Sequence, residues 1–470
     1  MSKFNLKTSN KTVNRAGGEA YIQSDELSFI SLLLTSFCKE QFYRSEENTN
    51  ENIIELISKL DKEFVAKCAI FARNEFGMRS ISHIVAGEIA KSVKGKDWPK
   101  RFFDKVVRRP DDITEILSYY LSNYGKPIPN SLKKGLGNSF DKFNEYQLAK
   151  YRGDKKGMRL IDAVNLIHPK VNENVQNAIK KLVGGTLKST DTWEVELTKA
   201  GHAENTDLAK NKAWANLIKE RKIGYFALLR NLRNIIEQSP EVLDEALKLL
   251  VDEKLISKSL VLPFRFLTAI QSIEELNGSG VSKTLVALNR AVDISLRNVP
   301  KFDGDTLVVL DVSGSMEGEP QEIGSLFSAV LVKSNNADFI TFSDDAQYRT
   351  LNPMDSTLTL AKSIAFTSGG TNFHSIFETA NRKYDRIIIL SDMQGWVDFN
   401  TPKTSFTDYK IRTNADPKVY SFDLQGYGDM QFPERNVFCL TGFSEKIFDG
   451  MKLLEEDKNA LLNRIKEIEL

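Results

Sequence analysis

The sequence predicts a two-part, multidomain α plus α/β molecule: a helical-repeat region over residues 1–300 and a doubly wound, Rossmann-like α/β domain over 301–470. Three observations predict it. From about residue 24 to 297, apolar residues recur at i, i+3 and i+4, the period of a helix with one buried stripe. After a Pro- and Gly-punctuated link at 298–305, short runs that are apolar on both faces alternate with helical segments, as in a parallel sheet covered on both sides. The charge also divides there. Residues 1–300 hold 47 Lys and Arg against 37 Asp and Glu, and residues 301–470 hold 17 against 26.

In the first part the spacing predicts helices over 25–41, 61–73, 79–91, 111–123, 205–219, 224–236, 239–252 and 278–297. Capping signals stand before several of them: Ser24-Asp25, Asp111-Asp112 and Ser239-Pro240. Many helices of similar length with short links suggest an α-solenoid or a large bundle. No strict textual period is present.

In the second part strands are expected at 306–311, 337–342, 346–350, 385–391, 418–423 and 436–440. Helices are expected at 320–334, 356–365, 374–383 and 443–466. The first strand ends in Asp311-Val-Ser313-Gly-Ser315, which places one carboxylate and two hydroxyls where doubly wound sheets bind ligands, beyond the carboxyl ends of their strands. Gly314 permits a tight turn that aims them at one point. Gly369-Gly370-Thr371 offers another hydroxyl, and Ser391-Asp392 a second carboxylate at a further strand end. Hard oxygen ligands of low total charge suit Mg²⁺ or Mn²⁺. No His or Glu is placed as a general base, and His374 reads as a surface or capping residue, so no catalytic centre is expected.

These residues resemble the metal-ion-dependent adhesion site of von Willebrand factor A domains. The resemblance implies that Ser313, Ser315 and Thr371 touch the metal while Asp311 and Asp392 often act through water. It also implies one coordination position left for an acidic protein ligand. A purely structural metal is the alternative.

Composition excludes several classes. The N-terminal segment lacks an apolar signal region, and the longest apolar runs, such as 307–310 and 387–390, are too short to span a bilayer. Cys38, Cys68 and Cys439 show neither a disulfide framework nor zinc spacing, and read as buried residues in a reducing cytoplasm. A basic part beside an acidic part fits a polyanion-binding module joined to a metal module, or two halves that attract each other.

Between residues 150 and 170 stand Lys150, Arg152, Lys155, Lys156, Arg159, His168 and Lys170, against Asp154 and Asp162. That density suits phosphate neutralisation, and imidazole can stack on a base or donate to phosphate. The alternative is a solvated helix end with His168 capping before Pro169. His83, in an apolar run, reads as a core histidine.

Motifs spread along the chain carry a second resemblance: residues 14–18 (NRAGG), 41–44 (QFYR), 106–111 (VVRRPD), 149–152 (AKYR), 167–170 (IHPK), 192–195 (TWEV), 228–234 (LLRNLRN) and 262–269 (LPFRFLTA). In this order they resemble the TROVE family, and the order of parts resembles its Ro ribonucleoprotein branch of bacterial or phage type. The resemblance implies a ring of HEAT-like helical repeats that binds small noncoding Y-type RNA on its outer surface and takes single-stranded 3′ ends of misfolded RNAs into its hole. Lys150 and His168 are the positions onto which RNA contacts carry over. It further implies RNA quality control by a ribonucleoprotein scaffold, with an exoribonuclease tethered through RNA. A rival reading is a protein-assembly module that presents substrates to a MoxR-type ATPase.

Overall fold

The computed structural model describes residues 11–13, 19–22, 25–35, 46–93, 95–153, 157–188, 193–367, 369–395, 402–424, 429–430, 437–441, 447–456 and 460–470. Its strands, in chain order, are β1 (Lys11–Val13), β2 (Glu19–Ile22), β3 (Thr306–Asp311), β4 (Asp338–Phe342), β5 (Ala346–Tyr348), β6 (Arg386–Ser391), β7 (Lys418–Asp423), β8 (Asp429–Met430) and β9 (Val437–Thr441). β3 to β7 and β9 form a six-stranded sheet of order β5-β4-β3-β6-β7-β9. All its pairs are parallel except β4–β5. Counted within the sheet, that is the 3-2-1-4-5-6 order of a doubly wound fold, whose switch point lies between β3 and β6.

The two-sided apolar pattern has the expected cause. Val308 and Leu310 of β3 join a core that also holds Ile388, Leu390, Tyr420 and Phe422. Leu307 and Val309 point the other way, into a cluster with Ile387, Ile389 and Val419. Helices cover each face, Glu319–Asn335 among them.

Before residue 300 the described elements are helical apart from β1 and β2. Several expected helices are found nearly as bounded: Lys62–Asn74, Ser80–Ser92, Thr206–Lys219 and Ser279–Ser295. Others differ for local reasons. The helix expected at 111–123 begins at Pro110, and Asp112 serves at its third position, accepting the Arg109 N–H at 2.9 Å. The 224–236 helix is two, Tyr225–Arg230 and Leu232–Gln238, and the Asn231 amide between them donates to the Ala227 carbonyl at 2.8 Å. Pro240 opens a 3₁₀ turn ahead of helix Leu243–Leu250. The expected 443–466 helix is Ile447–Glu456 and Ala460–Lys466.

Helix Lys403–Thr413 and the small sheet β1-β2-β8 were not anticipated. In that sheet Tyr21 pairs with Met430 and Ile22 with Asp429, so the start of the chain adds strands to its far end. Cys68 is buried and free, and burial pushes its thiol up. Cys38 lies outside the described residues. No helix among the described residues is long and apolar enough to cross a membrane.

Candidate metal centre and nucleic-acid surface

The D-x-S-x-S loop sits at the switch point. Asp311 closes β3 fully buried, and its Oδ1 accepts the Ser313 N–H at 2.9 Å. Ser313 Oγ lies 3.2 Å from Ser315 Oγ, and the Ser315 hydroxyl in turn hydrogen-bonds Asp392. The Ser391 hydroxyl donates to Asp311 Oδ2 at 2.6 Å. The third segment arrives on the loop before Thr371: the Gly314 N–H points to the Gly369 carbonyl at 3.4 Å, and the Thr367 N–H donates to the Val312 carbonyl. Thr371 and Asp392 are buried. Asp311, Ser313, Ser315 and Asp392 are thus linked by hydrogen bonds, and the loop that carries Thr371 docks against them.

The tight turn expected at Gly314 is a 3₁₀ turn over Gly314–Met316, made without a left-handed conformation at the glycine. Positive φ falls instead at Gly318 (91°) and Met393 (59°). Gly314 is where the loop of Gly369 makes its close approach. Met393 is a buried non-glycine held in the left-handed region directly after Asp392. Such strain costs about 1–3 kcal/mol and collects at ligand sites.

Burial, and then the neighbouring Asp392, push the Asp311 carboxyl up to about 7, against hydrogen bonds from Ser313 and Ser391 that favour the anion. Burial raises Asp392 as well. Two acids driven toward neutrality amid hydroxyl oxygens are a donor set that a small divalent cation fits, because its charge offsets both penalties. Among the described residues no group of three or more His, Cys, Asp or Glu is placed to hold a metal. The oxygens brought together here are two carboxylates and the hydroxyls of Ser313, Ser315 and Ser391.

Sequence reasoning missed three neighbours of this site. Ser391 is the first. Asp423, fully buried at the end of β7, pairs in register with Ser391. Asp344 accepts the Gly370 N–H at 2.8 Å and so braces the loop of Thr371. Position after an apolar strand was the signal available for Ser391 and Asp423. The His374 ring places its Nδ1 2.9 Å from Ser405 Oγ.

The basic stretch divides. Lys155 and Lys156 lie outside the described residues. Arg152 donates to the Leu187 carbonyl at 3.0 Å. Arg159 makes a two-point pair with Asp162 at 3.0 and 2.9 Å, which holds that carboxyl below its usual range. Lys150, His168 and Lys170 are exposed. His168 does end helix Leu160–Ile167, in the left-handed conformation with its N–H on the Val164 carbonyl, but the cap uses its backbone and leaves the imidazole in solvent.

His83 is buried as expected, yet in an ionic setting: its Nε2 lies 3.0 Å from Asp112 Oδ1.

Comparison with known proteins agrees with this architecture. The TROVE domain matches residues 22–184 and 180–312. The chain is 22% identical over 352 residues to telomerase protein component 1 of Mus musculus, covering 56% of this chain and 13% of that much longer protein. It is 22% identical over 481 residues to the RNA-binding protein RO60 of Deinococcus radiodurans, covering 86% of this chain and 87% of that one. The crystal structure of the Deinococcus radiodurans RO (RSR) protein superposes with a TM-score of 0.64 at 18% identity, over 94% of this chain and 99% of the other. The match to the family covers well over half of the residues, and the fold extends the likeness to nearly all of them: the chain belongs to the TROVE-domain family.

Proposed function

We propose that this protein is an RNA-binding scaffold of the Ro type. Its TROVE-type region, residues 1–300, binds small structured, Y-like RNA on the surface around Lys150, His168 and Lys170, and other cationic groups take the single-stranded 3′ ends of misfolded RNA. Its role is then RNA quality control in the cytoplasm, with an exoribonuclease recruited through the RNA. The observation that carries the reading is the exposed, solvent-facing set Lys150, His168 and Lys170 in a TROVE-family chain. Among the described residues neither lysine pairs with an acid, which leaves their charge for phosphates.

Residues 301–470 form the von Willebrand A-like module of this reading. Asp311, Ser313, Ser315, Thr371 and Asp392 would hold Mg²⁺ or Mn²⁺, and the bound ion would offer a coordination position to an acidic side chain of a protein partner.

Two measurements test the proposal. Freshly purified protein should carry nucleic acid, visible as a raised 260/280 nm absorbance ratio. Affinity for a stem–loop RNA should fall steeply with salt as counterions are released, and Lys150→Ala should lower the slope of log K against log salt by about 1. A flat salt dependence in the wild type contradicts the reading.

A further inference from the structure

We propose that Tyr146 is a stacking platform for an unpaired base of the RNA held near Lys150; this rests on the RNA-binding reading above. Tyr146 lies on helix Glu145–Lys150 and is 52% exposed, whereas Tyr120, Tyr225, Tyr384, Tyr409 and Tyr420 are each at most 8% exposed. An aromatic ring left in water forgoes the burial that makes such side chains useful to a core. Among the described residues no hydrogen bond takes its hydroxyl.

Its neighbours are arranged for a nucleotide. Lys150 follows by one turn, on the same face and about 5–6 Å away between Cβ atoms. Glu145, the adjacent acid, is occupied by Lys181 at 2.8 and 2.9 Å. The next aromatic, Tyr151, already has a partner: the Arg109 guanidinium covers it at 4.5 Å from the ring centre, and Asp111 fixes that guanidinium at 3.0 and 3.1 Å. Tyr146 is therefore the exposed aromatic face of this helix, one turn before Lys150, whose ammonium lies 5.8 Å from the centre of the Tyr151 ring. The helix itself is firmly set. Asn144 and Gln147 cap its start reciprocally at 2.9 and 3.0 Å, and Leu148 and Ala149 are buried beneath it. A ring presented on a fixed element loses little freedom on binding. A flat apolar face next to a phosphate-seeking cation is the pairing by which proteins hold unpaired nucleotides.

The test uses the full-length chain with two RNAs, a stem–loop and a blunt duplex of its stem alone, titrated by fluorescence anisotropy over a range of salt. Tyr146→Ala should weaken the stem–loop about tenfold, since a stacked base is worth that much on alanine substitution. It should leave duplex affinity and the salt slope unchanged, because stacking releases no counterions. Tyr146→Phe should keep wild-type affinity, and Tyr146→Leu, apolar but without an aromatic face, should lose as much as alanine. Melting curves matching the wild type establish that the exposed substitutions leave the fold intact.

If Lys150→Ala weakens the stem–loop while Tyr146→Ala and Tyr146→Leu do not, the stacking role falls and the RNA reading stands. Equal losses on stem–loop and duplex also overturn it. If the wild type binds neither RNA in a salt-dependent way, both fall.

Discussion

Asp112 shows how much one side chain can organise in this chain. It is fully buried, and its carboxylate accepts from Arg73 at 2.8 Å, Arg79 at 2.9 Å, the ring of His83 at 3.0 Å and the N–H groups of Arg108 and Arg109 at 2.9 Å. Burial alone would raise its pKa. The contacts with His83, Arg73 and Arg79 outweigh burial and hold the carboxyl far below its usual range. With the folded value depressed, the stabilisation is complete above the unfolded value near 4 and is lost as pH falls toward the folded value. Asp112→Asn should cost roughly 3–5 kcal/mol at neutral pH, because it leaves buried cations facing a neutral amide. It should also flatten the fall of stability below about pH 4. Urea titrations at several pH values measure both, and an unchanged acid limb contradicts the assignment. The capping role of Asp112 was legible in the sequence, but its cationic partners at 73, 79 and 83 were not, because they carry no common motif. Tyr146 was equally silent, since composition does not reveal which tyrosine stays in solvent. Asp311, Ser313 and Ser315 were legible because a strand end and its turn are local in sequence.

At the scale of elements, the long strands and capped helices were readable because period and punctuation act within a few residues. Short pairings between remote segments were not. β1, β2 and β8 have three, four and two residues, too few for alternation to register. The closing helix of the sheet, Ile447–Glu456, is likewise fixed by a distant partner. Arg386 at the start of β6 is 2% exposed and grips Glu455 with two bonds of 2.8 and 2.7 Å. The same guanidinium donates to Thr306 Oγ1 at 2.8 Å and lies 4.6 Å over the ring of Phe302. Glu455 also accepts from Tyr420 at 2.8 Å, and against the burial that would raise it, Arg386 and Tyr420 hold its carboxyl below the usual range. A pair with one partner fully buried is costly to break by removing either side and less costly to replace whole. Arg386→Met should therefore destabilise by about 3–5 kcal/mol and speed amide exchange in 447–456, whereas Arg386→Met with Glu455→Leu should regain most of that loss. Equal stability of the single and double variants would show that the pair does not hold the helix.

At the scale of the whole molecule, the basic and acidic parts meet through specific contacts. Lys67 donates to the Lys466 carbonyl at 2.8 Å, Lys105 to that of Glu469 at 2.6 Å and Arg101 to that of Leu470 at 2.6 Å. Cations at the carbonyl end of a helix such as Ala460–Lys466 are favourably placed. Phe264, from the helical part, packs on Phe327 at 5.3 Å and Phe448 at 6.1 Å, and Phe327 packs on Phe422 at 5.2 Å. One cluster of buried side chains runs from Phe29 and Phe102 through Leu262 to Phe327, Phe422 and Leu454. A core shared in this way couples the two parts, so heat should unfold them in one calorimetric transition rather than two. The metal reading then makes a prediction about the entire chain. Mg²⁺ held by Asp311, Ser313, Ser315, Thr371 and Asp392 binds only the native state, and at a hundred times its Kd it should add about 2.7 kcal/mol. That gain should raise the whole transition, helical region included. Asp311→Asn should abolish the Mg²⁺ shift while leaving salt-dependent RNA affinity intact. Without metal the variant should be no less stable than the wild type, since it removes a carboxyl whose ionised form burial and Asp392 both disfavour. Two separate endotherms, of which Mg²⁺ moves one, would refute the shared core as the coupling element. An equal Mg²⁺ shift in Asp311→Asn would remove the metal from this site.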